Sequence, residues 1–177
     1  KHFEYSFKPS DILISTGDVI RALGYTDAAV PAYLEKQIDD ILLEISDMIE
    51  PKGGFAVYDK VSVKSKSILI NKKELKTLGT IARPLAGAKS MAISVCTIGQ
   101  EVSRWIGTFI KDDAIKGYIA DVSASLITDK LAELMHQKVG SYAREELSSK
   151  VSHRYSPGYC GWSVADQHVL FSLLPSG

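Results

Sequence analysis

Arg154-Tyr155-Ser156-Pro157-Gly158-Tyr159 is the stretch of this chain whose residue types and order could do chemistry. An arginine guanidinium is a planar fork of donors that matches a carboxylate bidentately. Pro157 sets one backbone angle, and Gly158 permits a positive φ or the close approach of a ligand. Tyr155 and Tyr159 bring aromatic faces, and Trp162 adds a third. Backbone carbonyls in so rigid a turn can accept bonds from an ammonium group. The set suits the zwitterionic end of an amino acid. It suits an ordinary turn with a salt-bridged arginine equally well, and residue types alone leave the two readings even.

The other reactive side chains offer less. Asp129 and Glu133 stand four apart in a predicted helix whose apolar stripe begins with Ile115, Ile119, Val122 and Leu126. The stripe continues in phase through both carboxylates, while the apolar face shifts to Ile127, Leu131, Leu134 and Met135. Either the helix end leaves the core and this face is wetted, or the carboxylates line a cleft. Cys96 sits in an apolar strand and reads as core, where a thiol without a base is inert. Cys160 lies in the 154–162 loop and is more exposed, again without a histidine or acidic neighbour. His2, His136, His153 and His168 form no HxH or HExxH pair, which argues against zinc or iron. Gly53-Gly54 and Thr97-Ile98-Gly99 match neither a P-loop nor a dinucleotide fingerprint. Gly99 could open a helix toward an anion, although a tight turn is the commoner reason for such a glycine. No catalytic residue is evident.

The elements that must position these residues alternate irregularly. Residues 2–7 alternate apolar and polar and predict a strand. Asp18 to Leu23 predicts a short helix capped by Ser15 or Thr16 and followed by Gly24. A longer helix spans roughly 28–50, with Leu34, Ile38, Ile41, Leu42, Ile45 and Ile49 at helical spacing. Pro51 ends that run, and Gly53-Gly54 predicts a flexible turn. From Phe55 to Asn71 the period is two, as in paired strands. A short helix before Pro84, a strand over Ser90–Thr97 closed by Gly99, and a helix from Glu101 to about Ile110 follow. The longest helix covers roughly 113–149, with Ala120, Ser123, Ala124 and Ser125 small enough for close packing. A last helix, Ser163 to Leu174, takes Ser163 as its cap. Strands and helices mixed without regular βαβ alternation predict an α+β fold: a mixed, mainly antiparallel twisted sheet with long helices packed on it.

The chain has 177 residues, 45% of them hydrophobic, which suits one globular domain with a real core. Lys plus Arg and Asp plus Glu both number 21. That balance argues against nucleic acid, which selects a basic excess or stripe. The nearest basic cluster, Lys60 to Lys76, alternates with valine and isoleucine and reads as the wet face of a hairpin. No apolar run reaches the ~18–20 residues of a membrane span, and the N-terminus lacks a signal-peptide pattern. With two cysteines and no disulfide framework, the expectation is a reduced, cytoplasmic protein.

Arg154-Tyr155-Ser156-Pro157-Gly158-Tyr159 fits the order arginine, three residues, glycine, tyrosine, and a short helix with Asp166-Gln167 and Leu170-Phe171-Leu173-Leu174 follows it. This arrangement resembles the activation domain of cobalamin-dependent methionine synthase, which carries such a stretch in its S-adenosylmethionine site. Ser94-Val95-Cys96-Thr97-Ile98-Gly99 with Glu101-Val102 resembles a strand-to-helix turn of short stand-alone relatives. Asp129-Lys130-Leu131-Ala132-Glu133 resembles a helical segment that supplies an acidic residue near the ligand. The resemblance covers roughly residues 90–174; the first ninety match only in size and general pattern.

The resemblance implies that Arg154 holds the methionine carboxylate and that the backbone around Ser156 takes the ammonium. Gly158 and Tyr159 would shape the wall facing the sulfonium and the corrin, and Glu133 would be a supporting carboxylate, with Asp129 structural. It implies S-adenosylmethionine as ligand and cobalamin only through a partner: a cobalamin-binding methionine synthase subunit, with an electron donor such as a flavodoxin. The expected role is reductive methylation, the reactivation of cob(II)alamin. Two departures bear on this. The acidic residue expected shortly before the motif arginine is replaced by Ser148-Ser149-Lys150-Val151, leaving Glu145 or Glu146. The family domain also continues past the helix ending near Leu174 with further strands that this sequence lacks, so residues 1–177 are expected to form one activation-like domain without them, acting on a separate synthase. Competing readings are a corrinoid-protein interaction module that does not bind S-adenosylmethionine, and a methyltransferase acting on a corrinoid or small acceptor.

Overall fold

The computed structural model describes residues 1–26, 30–77, 79–109 and 111–174. In chain order the elements are β1 (His2–Ser6), α1 (Thr16–Ala22), α2 (Ala32–Met48), β2 (Lys52–Tyr58), β3 (Val61–Val63), β4 (Ile68–Ile70), β5 (Lys73–Leu75), α3 (Gly79–Ala82), β6 (Met91–Thr97), α4 (Gln100–Phe109), α5 (Ala114–Leu147) and α6 (Gln167–Leu173). The strands form two three-stranded sheets, β1-β2-β6 and the meander β3-β4-β5. The class is α+β, as expected, with the β content divided between two sheets. The predicted helix start near residue 28 and the helix end at Ile110 lie outside the described residues, as do the last three residues. Among the described residues no helix is long and apolar enough to cross a membrane.

The chain divides into two compact units, each built from discontinuous segments. Unit one comprises Lys1–Glu4, Gly54–Val95 and Met135–Gly177; unit two comprises Tyr5–Gly53 and Cys96–Leu134.

Unit two is organised by α2. Leu34, Ile38, Ile41 and Ile45 recur at helical spacing, and all are buried, with Ile49 just beyond the helix end. They share a core with Ile12, Val19, Ile98, Val102 and the N-terminal part of α5. The buried row on α5 runs through Ile119, Ser123, Ile127 and Leu131, four residues apart, with Ala120 and Ala124 beside it. This corrects the expected stripe: Ile115 is 69% exposed, while Val122 and Leu126 are only partly buried. The fully buried Ser123 donates its hydroxyl to the Ile119 carbonyl at 2.8 Å, satisfying itself within the helix.

Helix α1 opens with a capping box. Ser15 Oγ accepts from the Asp18 N–H at 3.2 Å, and Asp18 Oδ2 accepts from the Ser15 N–H at 2.8 Å and from its hydroxyl at 2.7 Å. Arg21 Nη2 adds an ion pair to Asp18 Oδ1 at 2.6 Å. The Ser15 bonds, more than Arg21, hold the Asp18 carboxyl below its ordinary range. A carboxylate whose folded pKa is lowered contributes stability above its unfolded pKa, and that contribution fades as pH falls through the folded value. Asp18→Ala is therefore expected to cost about 1 kcal/mol at neutral pH. The difference from wild type should shrink as pH falls below ~4. Urea unfolding of both proteins at neutral and acid pH measures it; a pH-independent difference would refute the charged cap.

Unit one contains the meander. Val61, Ile70 and Lys73 stand in register across its strands, as do Val63, Ile68 and Leu75. Ile68, Ile70 and Leu75 pack with Ile81, Ile93, Trp162 and Leu173 in a second core. Asn71 and Lys72 both have positive φ (46° and 67°), the requirement of a two-residue type I′ hairpin turn. The expected turn at Gly53-Gly54 is instead part of strand β2. Gly54 is glycine for another reason: a Cβ there would lie 2.7 Å from the Phe3 carbonyl oxygen, closer than any side chain tolerates. Phe3, Phe55 and Tyr142 stack nearby with ring centroids 4.8–5.9 Å apart.

Candidate functional site

The Arg154–Tyr159 stretch lies in unit one, between α5 and the short 3₁₀ turn Val164–Asp166 that precedes α6. Ser148 ends α5 in a left-handed conformation (φ 48°), and the Ser149 N–H bonds back to the Ala143 carbonyl at 2.9 Å. The chain then leaves the helix axis without regular structure until Ser156.

From Ser156 the backbone makes two consecutive tight turns. Ser156-Pro157-Gly158-Tyr159 is the first, with the Tyr159 N–H donating to the Ser156 carbonyl at 3.2 Å and Gly158 at φ 95°. Proline then positive-φ glycine at the central positions is the sequence of a type II turn. Tyr159-Cys160-Gly161-Trp162 is the second, with the Trp162 N–H donating to the Tyr159 carbonyl at 2.9 Å. Its central residues, Cys160 and Gly161, both have positive φ (52° and 75°), as type I′ requires. A bond of 2.8 Å from the Gly158 N–H to the Trp162 carbonyl closes the two turns into one small hairpin.

The hairpin is fastened to the core of its unit. Trp162 is 6% exposed, and its indole N–H donates to Asp166 Oδ2 at 2.8 Å. The same carboxylate oxygen accepts the Lys76 N–H at 2.9 Å, and the Thr80 hydroxyl donates to the Cys160 carbonyl at 2.9 Å. At α6, the Tyr58 hydroxyl donates to the Leu173 carbonyl and Lys73 Nζ to the Ser172 carbonyl. Pro157 is buried and Tyr155 packs against the second core. Arg154, Ser156, Gly158 and Tyr159 are exposed, with Tyr159 at 68%. One rigid loop thus buries the residues that hold it and displays those that could meet a ligand.

The internal bonds also decide which groups remain available. The N–H groups of Gly158, Tyr159 and Trp162 are spent inside the hairpin. The Ser156 carbonyl accepts one bond and keeps a second lone pair. The loop therefore keeps a carbonyl acceptor and hydroxyls suited to an ammonium group, with the exposed Arg154 next to them in the chain.

Glu133 is an exposed residue of α5 in the segment belonging to unit two, paired with Lys130 at 3.6 Å. Asp129 is exposed on the same helix. Cys96 is partly buried against the core of unit two, and Cys160 is exposed within the hairpin. Gly99 has φ 103° and its N–H bonds to Thr97 Oγ1 at 3.1 Å, so it serves the turn between β6 and α4. Among the described residues no three His, Cys, Asp or Glu side chains are grouped to hold a metal ion. The second turn and the clasp of Asp166 are weakly marked in the sequence. Cys160-Gly161 is a weak turn signal, but Trp162 followed four residues later by Asp166 was available to be read as an indole and its acceptor.

No family model matches the chain, and no curated protein matches its sequence. Its fold is similar to that in a crystal structure of the MetH reactivation domain bound to AdoHcy. The TM-score is 0.66 at 15% sequence identity, over 98% of this chain and 70% of the other. The chain therefore has an activation-domain-like fold.

Proposed function

We propose that this protein is an activation domain that binds S-adenosylmethionine on the 154–159 loop and serves a cobalamin-dependent methionine synthase in the reductive methylation of cob(II)alamin. The observation that carries the reading is the coincidence of two independent features. The fold is like that of a domain crystallised with AdoHcy, and the one stretch whose chemistry suits an amino-acid zwitterion is held rigid with its polar groups outward. When bound, S-adenosylmethionine supplies an electrophilic methyl group. The protein's part is positioning. Arg154 holds the carboxylate in its fork, the free lone pair of the Ser156 carbonyl receives the ammonium, and the Tyr159 ring covers the sulfonium side, where an aromatic face favours a cation. Gly158 lets the backbone pass beneath. Any side chain there would be strained at φ 95° and would press on Val164. Glu133 is proposed as a supporting carboxylate, the cobalamin-binding synthase as partner, and a flavodoxin-like protein as electron donor.

Calorimetric titration with S-adenosylmethionine tests the ligand assignment. Loss of a charge-assisted bidentate contact is worth ~1.5–3 kcal/mol, so Arg154→Ala should weaken binding about tenfold to a hundredfold. Arg154→Lys should fall between the two, because it keeps the charge and loses the fork. Equal heats for wild type and Arg154→Ala would refute the carboxylate contact. Silent titrations with a retained complex on the cobalamin subunit would favour a docking module that does not bind the ligand.

A further inference from the structure

The charges of the chain cancel, 21 basic against 21 acidic, but the two units do not share them evenly. Unit one holds thirteen Lys and Arg against six Asp and Glu, and unit two holds eight against fifteen, so their formal charges are +7 and −7. The neutrality read from composition conceals two strongly charged bodies.

The excess of unit one gathers on the meander. Its inner face packs through Val61, Val63, Ile68, Ile70 and Leu75. Ser62, Leu69 and Glu74 stand opposite one another in register and are exposed. Around them, at strand ends and turns, lie Lys60, Lys64, Lys66, Lys72 and Lys76, all exposed. Among the described residues none of these five makes an ion pair, whereas Arg21, Lys52, Arg104, Lys116 and Lys130 of unit two are each matched to a carboxylate. Asp59 and Glu74 are the two acids of residues 59–76. Unpaired like charges on so small a face oppose folding by self-repulsion, so the face gains by meeting an external anion.

We infer that the outer face of the β3-β4-β5 meander is a docking surface for a carboxylate-rich protein surface with an apolar side chain opposite Leu69. The lysines fix the sign of the partner. Leu69, 40% exposed at the centre of a lysine rim, has the apolar-centre, polar-rim pattern of a protein interface. Nucleic acid fits less well. Residues 59–76 contain no arginine to grip phosphate bidentately and no aromatic side chain on which a base could stack, and Glu74 would face the phosphates. A membrane surface would need several apolar side chains for insertion, and this face offers one. Such an interface is salt-sensitive and works chiefly through the association rate.

The inference stands apart from the ligand reading of the 154–159 loop, and its test needs no S-adenosylmethionine. Three probes are compared by anisotropy or co-sedimentation: a labelled glutamate-rich peptide with a central leucine, a labelled oligodeoxythymidine, and phosphatidylserine-containing vesicles. The peptide should bind wild type and weaken severalfold between ~50 and ~200 mM salt. The joint charge reversal Lys60→Glu, Lys64→Glu, Lys72→Glu and Lys76→Glu should weaken it tenfold or more, with circular dichroism reporting the fold. Leu69→Ser, which leaves the charge unchanged on a solvent-facing position, should weaken it severalfold, and Lys8→Glu with Lys111→Glu should not. Peptide binding indifferent to the reversal overturns the inference. So does tighter binding of oligonucleotide or vesicles than of peptide, or salt-sensitive self-association, which would make the acidic unit of a second copy the occupant.

Discussion

Trp162→Ala is expected to destabilise unit one by about 3–5 kcal/mol, the range for deleting a large buried aromatic. The ring is 6% exposed and packs with Ile68, Ile70, Leu75, Ile81, Ile93 and Leu173. Its loss opens a cavity between the meander and α6 and leaves Asp166 with the Lys76 N–H alone. Trp162→Phe separates these contributions. It keeps most of the ring contact and removes only the indole donor, so it should cost about 1–3 kcal/mol. Urea unfolding followed by circular dichroism measures both. S-adenosylmethionine titration of the folded alanine variant should show weakened binding as well, because the hairpin closing on Trp162 holds Ser156 and Tyr159 in place. A stability change below ~0.5 kcal/mol, the ordinary surface range, would mean that the loop is not anchored through this residue.

The elements that could be read from the chain are those in which local chemistry and burial agree. Ser15 and Asp18 form a capping box by themselves, and α2 buries Leu34, Ile38, Ile41 and Ile45 of the residues its spacing marks, leaving Leu42 partly buried. Pro157-Gly158 specifies a type II turn wherever it is placed. The failures share a cause. Gly53-Gly54 carries a strong turn signal, yet Gly54 lies in a strand because β1 passes too close for a Cβ, and nothing local to residues 53–54 reports a neighbour some fifty positions away. The charge asymmetry is only partly legible: Lys60 to Lys76 is a basic run in the sequence, but the totals of +7 and −7 emerge only when separated segments are grouped into their units. In the candidate site, Arg154 to Tyr159 was legible because the groups that would touch a zwitterion are contiguous. The clasp that rigidifies them was less so, since Asp166 meets Lys76 across ninety positions.

Helix α5 is the instructive miss, and it yields the second large effect. Tracking large apolar residues placed Ile115 at the head of the buried stripe. Tracking close approach places Ala120, Ser123 and Ala124 at its centre, because small residues are what allow a helix to press against its neighbours. Leu131→Ala is accordingly expected to cost about 2–5 kcal/mol, since Leu131 is 0% exposed within the core of unit two. Ile115→Ala, at a position that is 69% exposed, should stay within about 0.5 kcal/mol of wild type. The pair decides the phase of the helix without further structure determination: the stripe inferred from apolar spacing alone predicts that both residues matter, whereas the observed row through Ile119, Ser123, Ile127 and Leu131 predicts that only one does. Comparable losses for the two variants would refute this rotation of α5 and, with it, the solvent exposure of Asp129 and Glu133.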